Sequence, residues 1–193
     1  MSDAPPRNHT SVPLADVLAD RWSPCAFDWE HVVGRDDVVA LLEAARWAPS
    51  ADNAQPRRFV AARRGTPTFE TICGALSPTN RAWAHRASLL VVAAAETSRD
   101  GQPLRFAEYD LGQSVAHLTV EAGYRGLYVR QMAGFDRQAL GEAFMLPAGL
   151  VPLTVVAVGR HGDPDTLPED IRGRETGPRV RRDLDEVALL LDL

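Results

Sequence analysis

The sequence is poor in cysteine and has no long apolar run. Its 193 residues include two cysteines, Cys25 and Cys73, which do not form a CxxC pair. Two isolated cysteines provide no disulfide framework, so we expect a cytoplasmic location. The longest apolar run, residues 89–95, is too short to cross a bilayer. The N-terminal residues MSDAPPRNHTS have no apolar core, so no signal peptide is expected there.

An excess of positive charge is also missing, as are the common catalytic motifs. The net charge is −5, which gives no reason to expect a nucleic acid or an anionic membrane as a partner. No two of the five histidines have metal-ligand spacing, and therefore a metal site is not expected. The chain contains no GxSxG elbow, no P-loop and no GxGxxG. If the protein is an enzyme, a cofactor must carry the chemistry.

The composition and the patterning predict one globular domain. Hydrophobic residues make up 45% of the chain, enough for a core in a single domain over residues 1–193. We expect residues 1–12 to be flexible and residues 160–193 to form a loop and a C-terminal tail. Periodicity predicts helices at 36–48, 69–75 and 105–124, strands at 58–62, 88–95, 126–129 and 151–158, and a turn at 77–80. Strands separated by helices indicate an α/β or α+β domain.

Two apolar surfaces have no obvious partner within the chain. The predicted helix 105–124 carries one apolar side with Leu111 and Leu118 and a second with Tyr109 and Val120. A helix that is apolar on two sides is either an interior helix or part of a dimer interface. The C-terminal tail is also rich in leucine, and packing against a partner subunit would bury it.

One stretch, residues 41–59, combines a helix with a polar turn. Its sequence is LLEAARWAPSADNAQPRRF. The helix should end near Pro49, because proline disfavours helical geometry in the residue before it. Ser50, Asp52, Asn53 and Gln55 then follow within six residues. Hydroxyl, carboxylate and carboxamide groups in a rigid turn indicate a binding loop for a small polar ligand.

Five segments, taken together and in this order, resemble the motifs of the FMN-dependent nitroreductase family. They are RWSPCAFD, EAARWAPSADNAQPRRF, PTNRAW, YDLGQSVAHLTVEAGYRGLYVRQMAGFD and RVRRDLDEVAL. The resemblance implies an α+β fold, a three-layer α/β/α sandwich. In that fold a central, mostly antiparallel sheet is flanked by helices, and the C-terminal tail is domain-swapped.

The same resemblance implies a set of cofactor-binding residues and no catalytic side chain, since the chemistry takes place on the flavin. The first and last motifs would hold the FMN phosphate, the asparagine and glutamine side chains would bind the ribityl chain and the pyrimidine edge, and the backbone amides before Phe135 would face the flavin ring. The implied residues are Arg21, Trp22, Ser23, Cys25, Pro49, Ser50, Asn53, Gln55, Asn80, Met132, Ala133, Gly134, Arg181 and Arg182.

Purely structural roles for several of these residues also remain open. Arg21 and Arg182 would then be surface ion-pair partners, and Ser50 would only cap local backbone groups. Asn80 would be no more than a turn residue.

Two residues depart from the family pattern. Cys25 stands where the family usually has a basic residue, and Arg57 stands where it usually has tryptophan. Losing one charge-assisted contact costs roughly 1.5–3 kcal/mol, unless Arg57, Arg58 or Arg181 replaces it. Arg57 would also make one wall of the site more polar and favour anionic substrates.

The resemblance further implies a homodimer with FMN at the interface and each site built from both chains. NAD(P)H would be the electron donor, and a nitroaromatic, quinone or related acceptor would follow it in a ping-pong scheme. Two alternatives remain open. One is a specialised flavin enzyme of the same fold, dehalogenase-like or dehydrogenase-like. The other is a non-catalytic protein that binds or stores flavin.

Overall fold

A four-stranded sheet lies between two layers of helices in the computed structural model, which describes residues 8–175, 177 and 179–190. The helices are α1 Asp16–Ala19, α2 Arg35–Arg46, α3 Pro67–Ala75, α4 Pro78–Ala84, α5 Ala107–Tyr124, α6 Arg137–Ala143, α7 Glu169–Glu175 and α8 Leu184–Val187. The strands are β1 Arg57–Arg63, β2 Leu89–Glu96, β3 Ser98–Arg99, β4 Gln102–Pro103, β5 Tyr128–Met132 and β6 Leu150–Gly159. The prediction of a flexible N-terminus falls partly on residues 1–7, which lie outside the described residues.

The main sheet has the strand order β1-β2-β6-β5, and each neighbouring pair is antiparallel. The two central strands are the apolar runs LLVVAAAE and LVPLTVVAVG. Seven of the eight residues of β2 are buried, because the strand is covered on both faces. β3 and β4 form a separate two-stranded hairpin.

Each face of the sheet is covered by its own helices. On one face, Phe69 and Ile72 of α3, Trp83 of α4 and Leu140 of α6 pack with alternate residues of the sheet. On the other face, Leu41 and Ala45 of α2 pack with one side of α5, including Leu111 and Leu118. The expected three-layer α+β architecture is therefore confirmed.

The predictions of the main helices and central strands are confirmed, with small differences at their ends. The predicted turn at 77–80 is wrong, since Pro78–Ala84 is a helix. The Ser77 hydroxyl accepts a hydrogen bond from the Asn80 amide, and Pro78 occupies the first turn, so the residues that suggested a turn start a helix instead. The loop expected from residue 160 onward is also interrupted, because Glu169–Glu175 forms helix α7 with Gly173 inside it.

The second apolar side of α5 is exposed in the single chain. Of the two residues that predicted this side, Tyr109 is 68% exposed and Val120 is half-buried; Tyr124 in the last turn, which was not part of the prediction, is 73% exposed. In the tail, Leu189 and Leu190 are 91% and 87% exposed. These surfaces are the ones for which the sequence predicted a partner subunit. Of the helices in the described ranges, none combines the length and the apolar character that a membrane crossing requires.

Candidate functional site

Arginines from the two ends of the chain meet beside Ser23. Arg21 donates a hydrogen bond from Nη1 to the Ser23 hydroxyl at 3.1 Å. Burial lowers the pKa of the Arg21 guanidinium, and the nearby charges of Arg181 and Arg179 lower it further. We call Arg21, Arg179 and Arg181 the arginine cluster. Like charges held together repel one another, so an anion bound among them would stabilise the arrangement.

Trp22 and Arg130 form the surroundings of this cluster. The Arg179 guanidinium lies 5.5 Å from the centre of the Trp22 ring, and the Trp22 ring packs edge-on against His161 at 5.1 Å. Arg130 of β5 donates to the backbone carbonyl of Ser23 and lies 5.3 Å from the centre of the Trp83 ring. Arg130 thus brings a further positive charge to the segment that carries Ser23 and Cys25.

Cys25 has its side chain in the core and not on the surface of the site. It is 4% exposed, and burial is the main reason that the pKa of its thiol rises to about 11. The nearby Arg130 charge acts in the opposite direction. A buried, protonated thiol has little reactivity. A basic side chain that contacts this segment is therefore supplied by Arg130 and not by residue 25.

A second part of the site lies where β5 ends. The Asn80 side chain donates from Nδ2 to the Gly134 carbonyl at 3.0 Å, and the Ser77 amide donates to the same oxygen. A Cβ on Gly134 would lie 2.9 Å from both Asn80 Nδ2 and Ser77 Oγ, so any side chain here would displace these two hydrogen-bonding groups. Asn80 is therefore more than a turn residue, because it fixes the turn after β5.

The backbone of this turn presents hydrogen-bond donors to solvent. Met132 is buried, whereas Ala133 and Gly134 are exposed. Within the described residues, the amide nitrogens of Ala133 and Gly134 donate to no protein acceptor. A cleft of about 600 Å³ opens here, lined by Ala75, Ser77, Ala133, Gly134 and Asp136, among others. Its size is that of a small-molecule site.

The third part of the site is the loop of residues 49–55, whose backbone is strained. Asp52, Asn53 and Gln55 have positive φ angles of 51°, 55° and 49°. Positive φ is unfavourable for residues with a side chain, although aspartate and asparagine tolerate it better than glutamine. The Ser50 hydroxyl accepts from the Gln55 amide at 3.0 Å, and Gln55 Nε2 donates to the Asn53 carbonyl at 3.2 Å. Ser50 therefore does cap local backbone, as the alternative interpretation expected.

Two buried charged residues fix this loop. Arg57 is 9% exposed and donates to the carbonyls of Arg46, Ala48 and Pro49, including a contact of 2.8 Å with Ala48. The carboxylate of Asp110 on α5 is 2% exposed and accepts from the Ala51 amide at 3.1 Å. The expectation that Arg57 lines the site as a polar wall is therefore wrong. Its guanidinium is used for the carbonyls at the end of α2 and cannot replace a basic residue at position 25.

The chain joins some predicted site residues and separates others. Arg21, Trp22, Ser23 and Arg181 lie together, and so do Asn80, Met132, Ala133 and Gly134. Pro49, Ser50, Asn53 and Gln55 precede β1, at the opposite edge of the sheet from β5. The two edges are three strand spacings apart, roughly 14 Å. Arg182 is exposed and is not among the charges that lower the pKa of Arg21.

Comparison with known proteins shows which family the chain resembles. The model of the Nitroreductase family matches residues 18–66, which include both the Arg21–Phe27 motif and the 49–55 loop. A solved structure of an oxidoreductase containing FMN is 31% identical to the chain. It covers 94% of this chain and 93% of its own, with a TM-score of 0.88. The chain belongs to the nitroreductase family.

Two further relatives extend the comparison. An uncharacterized 15.4 kDa protein in the ask 5′ region of Mycolicibacterium smegmatis is 40% identical over an alignment of 139 residues, and the match covers 68% of this chain and 93% of the relative. A Desulfovibrio desulfuricans protein designated a nitroreductase, crystallised in complex with FMN, is 20% identical and has a TM-score of 0.72. It covers 95% of this chain and 99% of its own, and at this identity it shows the nitroreductase fold alone.

Four residues around the site were not found from the sequence: Arg130, Arg179, Asp110 and Glu175. Arg179 and Arg181 belong to one basic run at residues 179–182, and nothing in that run distinguishes Arg179 from Arg182. Arg130, Asp110 and Glu175 depend on contacts between distant segments, such as the Glu175 carboxylate with the amides of Cys25 and Ala26. No local pattern of this nitroreductase-family sequence reveals those contacts.

The described residues offer no metal centre. Across the described ranges, no three histidine, cysteine, aspartate or glutamate side chains are grouped so that they could hold a metal ion. The chemistry that the site can support is therefore the binding of an anion by the arginine cluster and of a polar, planar ligand by the amides after β5.

Proposed function

We propose that this chain is an FMN-dependent oxidoreductase that passes electrons from NAD(P)H to a nitroaromatic, a quinone or a related acceptor. The observation that carries the proposal is the arginine cluster, where Arg21, Arg179 and Arg181 are held together next to the Ser23 hydroxyl. A phosphate monoester bears about two negative charges, and arginine binds such groups through paired hydrogen bonds. Membership of the nitroreductase family and the FMN-containing relative at 31% identity support the same cofactor.

The residues present fit FMN in size and in chemistry. The arginine cluster and Ser23 would hold its phosphate, with Trp22 packing beside them. Asn80, Asn53 and Gln55 offer both donors and acceptors for ribityl hydroxyls and for the pyrimidine edge. The exposed amides of Ala133 and Gly134 would donate to the polar edge of the ring. When bound, FMN supplies the electron transfer from donor to acceptor.

The chain itself would orient the bound ligand and stabilise its reduced form. None of its side chains would act as an acid or a base. Amide donors at Ala133 and Gly134 would favour the reduced, more negative form of a ligand, much as an oxyanion hole stabilises developing charge. Asn80 would keep these donors in place through its bond to the Gly134 carbonyl. The open cleft beside Ser77 and Asp136 would admit the donor and then the acceptor to the same position, which is the basis of a ping-pong scheme.

The proposal includes a homodimer whose sites are each built from both chains. The 49–55 loop precedes β1 and the turn at residues 133–134 follows β5, and these two strands lie at opposite edges of one sheet. A second copy would bring its own 49–55 loop to the arginine cluster and would cover the exposed side of α5 with Tyr109 and Tyr124. The apolar residues Leu184, Val187 and Leu189 of the tail would pack on that partner as a domain-swapped segment.

A reducing location is consistent with this function. Both Cys25 and Cys73 are buried free thiols. Free thiols persist in the cytoplasm, where disulfides are rare. We therefore include a cytoplasmic location in the proposal.

The first test is the visible absorption spectrum of the freshly purified protein, repeated after FMN is added and the excess is removed. We expect flavin bands, followed by NADH or NADPH oxidation that depends on menadione or a nitrofuran. A protein that stays colourless after FMN is added would contradict the cofactor. A fully loaded protein without turnover would contradict the enzyme and would favour the flavin-binding or storage alternative.

A second test addresses the two-chain site by mixing two inactive variants. One carries Arg21→Met and Asn80→Ala, and the other carries Asn53→Ala and Gln55→Ala. If each site combines the arginine cluster of one chain with the 49–55 loop of its partner, mixed dimers contain one intact site and regain part of the activity. A site that lies within a single chain would show no recovery after subunit exchange.

A further inference from the structure

Glu175 is a buried carboxylate whose partners lie near the other end of the chain. Its Oε2 accepts a hydrogen bond from the Cys25 amide at 2.8 Å, and its Oε1 accepts one from the Ala26 amide at 2.9 Å. The Nε2 atom of His161 lies 3.6 Å from the same Oε1. The residue is 5% exposed. Buried carboxylates with several partners are uncommon and need a reason.

The contacts of Glu175 favour its ionised form. Burial raises the pKa of this carboxyl, but His161 and the amides of Cys25 and Ala26 outweigh burial, so the pKa lies below its ordinary value. An ionised carboxylate can accept from both amides at once, whereas a carboxamide has one accepting oxygen and a nitrogen that donates. The two bonds to the backbone therefore need glutamate at this position.

The position of Glu175 in the chain links it to the arginine cluster. It ends α7, four residues before Arg179. Its two amide partners follow directly on the segment that carries Arg21 and Ser23. A second connection fixes the same segment, since the Gly162 amide donates to the Ala26 carbonyl at 3.0 Å. A Cβ on Gly162 would lie 2.6 Å from the Phe27 backbone, so this approach also requires glycine.

We propose that Glu175 is a positioning residue for phosphate binding: it joins the segment of Arg21 and Ser23 to the segment of Arg179 and Arg181, and so sets the geometry of the arginine cluster. The inference rests on the proposed function, because FMN is the phosphate ligand in question. Glu175 touches neither the ligand nor the reacting atoms, and it acts only through the backbone of Cys25 and Ala26.

Two effects of Glu175→Gln have opposite signs, which makes the substitution informative. The variant removes a negative charge close to the site, and by charge alone it should bind phosphate more tightly. The variant also places a donor against one of the two backbone amides, which moves the segment of Arg21 away from that of Arg179. The inference states that this second effect is the larger one, so FMN binding should become weaker.

The experiment compares FMN with riboflavin, which lacks the phosphate, by fluorescence titration of the full-length apoprotein. For Glu175→Gln we expect roughly a tenfold or larger loss of FMN affinity, comparable with the loss of one charge-assisted contact, and less than about a twofold change for riboflavin. Glu169→Gln, an exposed position in the first turn of the same helix, is the matched control and should change neither affinity. Far-UV circular dichroism checks that each variant is folded.

A double variant makes the test specific for the cluster. In an Arg21→Met background, Glu175→Gln should cost little further FMN affinity, because its effect passes through Arg21. Equal losses for FMN and riboflavin, unchanged or tighter FMN binding, or full additivity with Arg21→Met would each overturn the inference. If Glu175→Gln does not fold, Glu175→Asp replaces it and should show the same selective loss. A wild-type protein that binds neither flavin would overturn the proposed function and this inference together.

Discussion

The arginine cluster and the 49–55 loop are both parts of the candidate site, but they are stabilised in different ways. The cluster combines three like charges from the two ends of the chain, and long-range contacts such as those of Glu175 keep it in place. The loop lies within one short stretch, and its unusual feature is a strained backbone with positive φ at Asp52, Asn53 and Gln55. The cluster brings like charges together, with the Asp20 carboxylate near Arg179 acting in the opposite direction, whereas the loop stores backbone strain.

In both regions the stabilising residue is a buried charge that does not line the cleft. Glu175 supports the cluster from the core side, and Arg57 supports the loop by bonds to the carbonyls at the end of α2. The comparison teaches that the site residues alone do not define the site. The arginine cluster and the 49–55 loop are each held by a buried ion with several hydrogen bonds. A buried ion is strongly destabilising when its partners are lost.

The largest expected effect comes from removing the support of the loop. Arg57→Met replaces the apolar stem of arginine with an unbranched apolar side chain. The carbonyls of Arg46, Ala48 and Pro49 then lose the guanidinium as their donor. We expect the free energy of unfolding to fall by about 3 kcal/mol, since buried polar groups without partners cost about 1–3 kcal/mol each. Urea unfolding followed by tryptophan fluorescence measures the change.

The neighbouring arginine provides the matched control for this prediction. Arg58 is exposed, and its contacts are an ion pair with Glu96 at 3.4 Å and hydrogen bonds from Nη1 to the carbonyls of Gln55 and Arg57 at 3.0 and 2.8 Å, all at the surface of the loop. Arg58→Met should therefore change stability by less than about 1 kcal/mol. If Arg57→Met is no more destabilising than Arg58→Met, the proposed difference between a buried support and a surface pair is wrong.

A smaller effect is expected in how the stabilising contributions of Glu175 and Arg57 depend on pH. Because the folded-state pKa of Glu175 lies below its ordinary value of 4.5, its contribution is fully present above pH 4.5 and is lost as the pH falls through the lower folded-state value. Glu175→Gln should be less stable than wild type by about 2 kcal/mol at pH 7, on the scale of a hydrogen bond to a charged group. This difference should shrink below about pH 4.5.

The Arg57 variant should behave differently over the same range. The guanidinium of Arg57 remains charged from pH 7 to pH 3, and its carbonyl partners do not titrate. The loss in free energy of unfolding caused by Arg57→Met should accordingly change less with pH than the loss caused by Glu175→Gln. Parallel urea titrations of both variants and wild type at pH 7, 5 and 3.5 test this, and an unchanged Glu175→Gln deficit at pH 3.5 would rule out the assigned titration.

Local patterns in the sequence were sufficient to predict the main helices and strands. The three-layer arrangement and most segments of the site were predicted from the resemblance to the nitroreductase family. The continuous apolar runs of β2 and β6, the end of α2 near Pro49 and the capping of α6 by Asp136 can all be read from neighbouring residues. Ser77-Pro78 was misread because serine followed by proline starts helices as well as turns.

The contacts of Arg57 and Glu175 could not be predicted from a single sequence, for a physical reason. Whether Arg57 points to solvent or to the carbonyls of α2 depends on how α2 packs against the sheet. Glu175 reaches Cys25 only after the two ends of the chain have met. Contacts over 150 residues leave no periodic signal in the sequence. The motif was sufficient to predict that Arg21 and Arg181 come together, but it assigned Arg182 as the second C-terminal arginine, whereas the charge near Arg21 is that of Arg179.

The smallest effect is expected in the strained backbone of the loop itself. Gln55 has a φ of 49°, a conformation that glycine adopts without steric cost. Gln55→Gly removes that strain, but it also removes the exposed bond from Nε2 to the Asn53 carbonyl and adds freedom to the unfolded chain. These terms nearly cancel, so we expect a change within about 0.5 kcal/mol. Ala54→Gly is the control, because Ala54 has an ordinary φ of −64° and gains only the entropic penalty, about 0.5–1 kcal/mol. A smaller destabilisation for Gln55→Gly than for Ala54→Gly in urea unfolding is therefore the expected sign of strain at Gln55. If Gln55→Gly is at least as destabilising as Ala54→Gly, strain at this residue does not outweigh its side-chain bond.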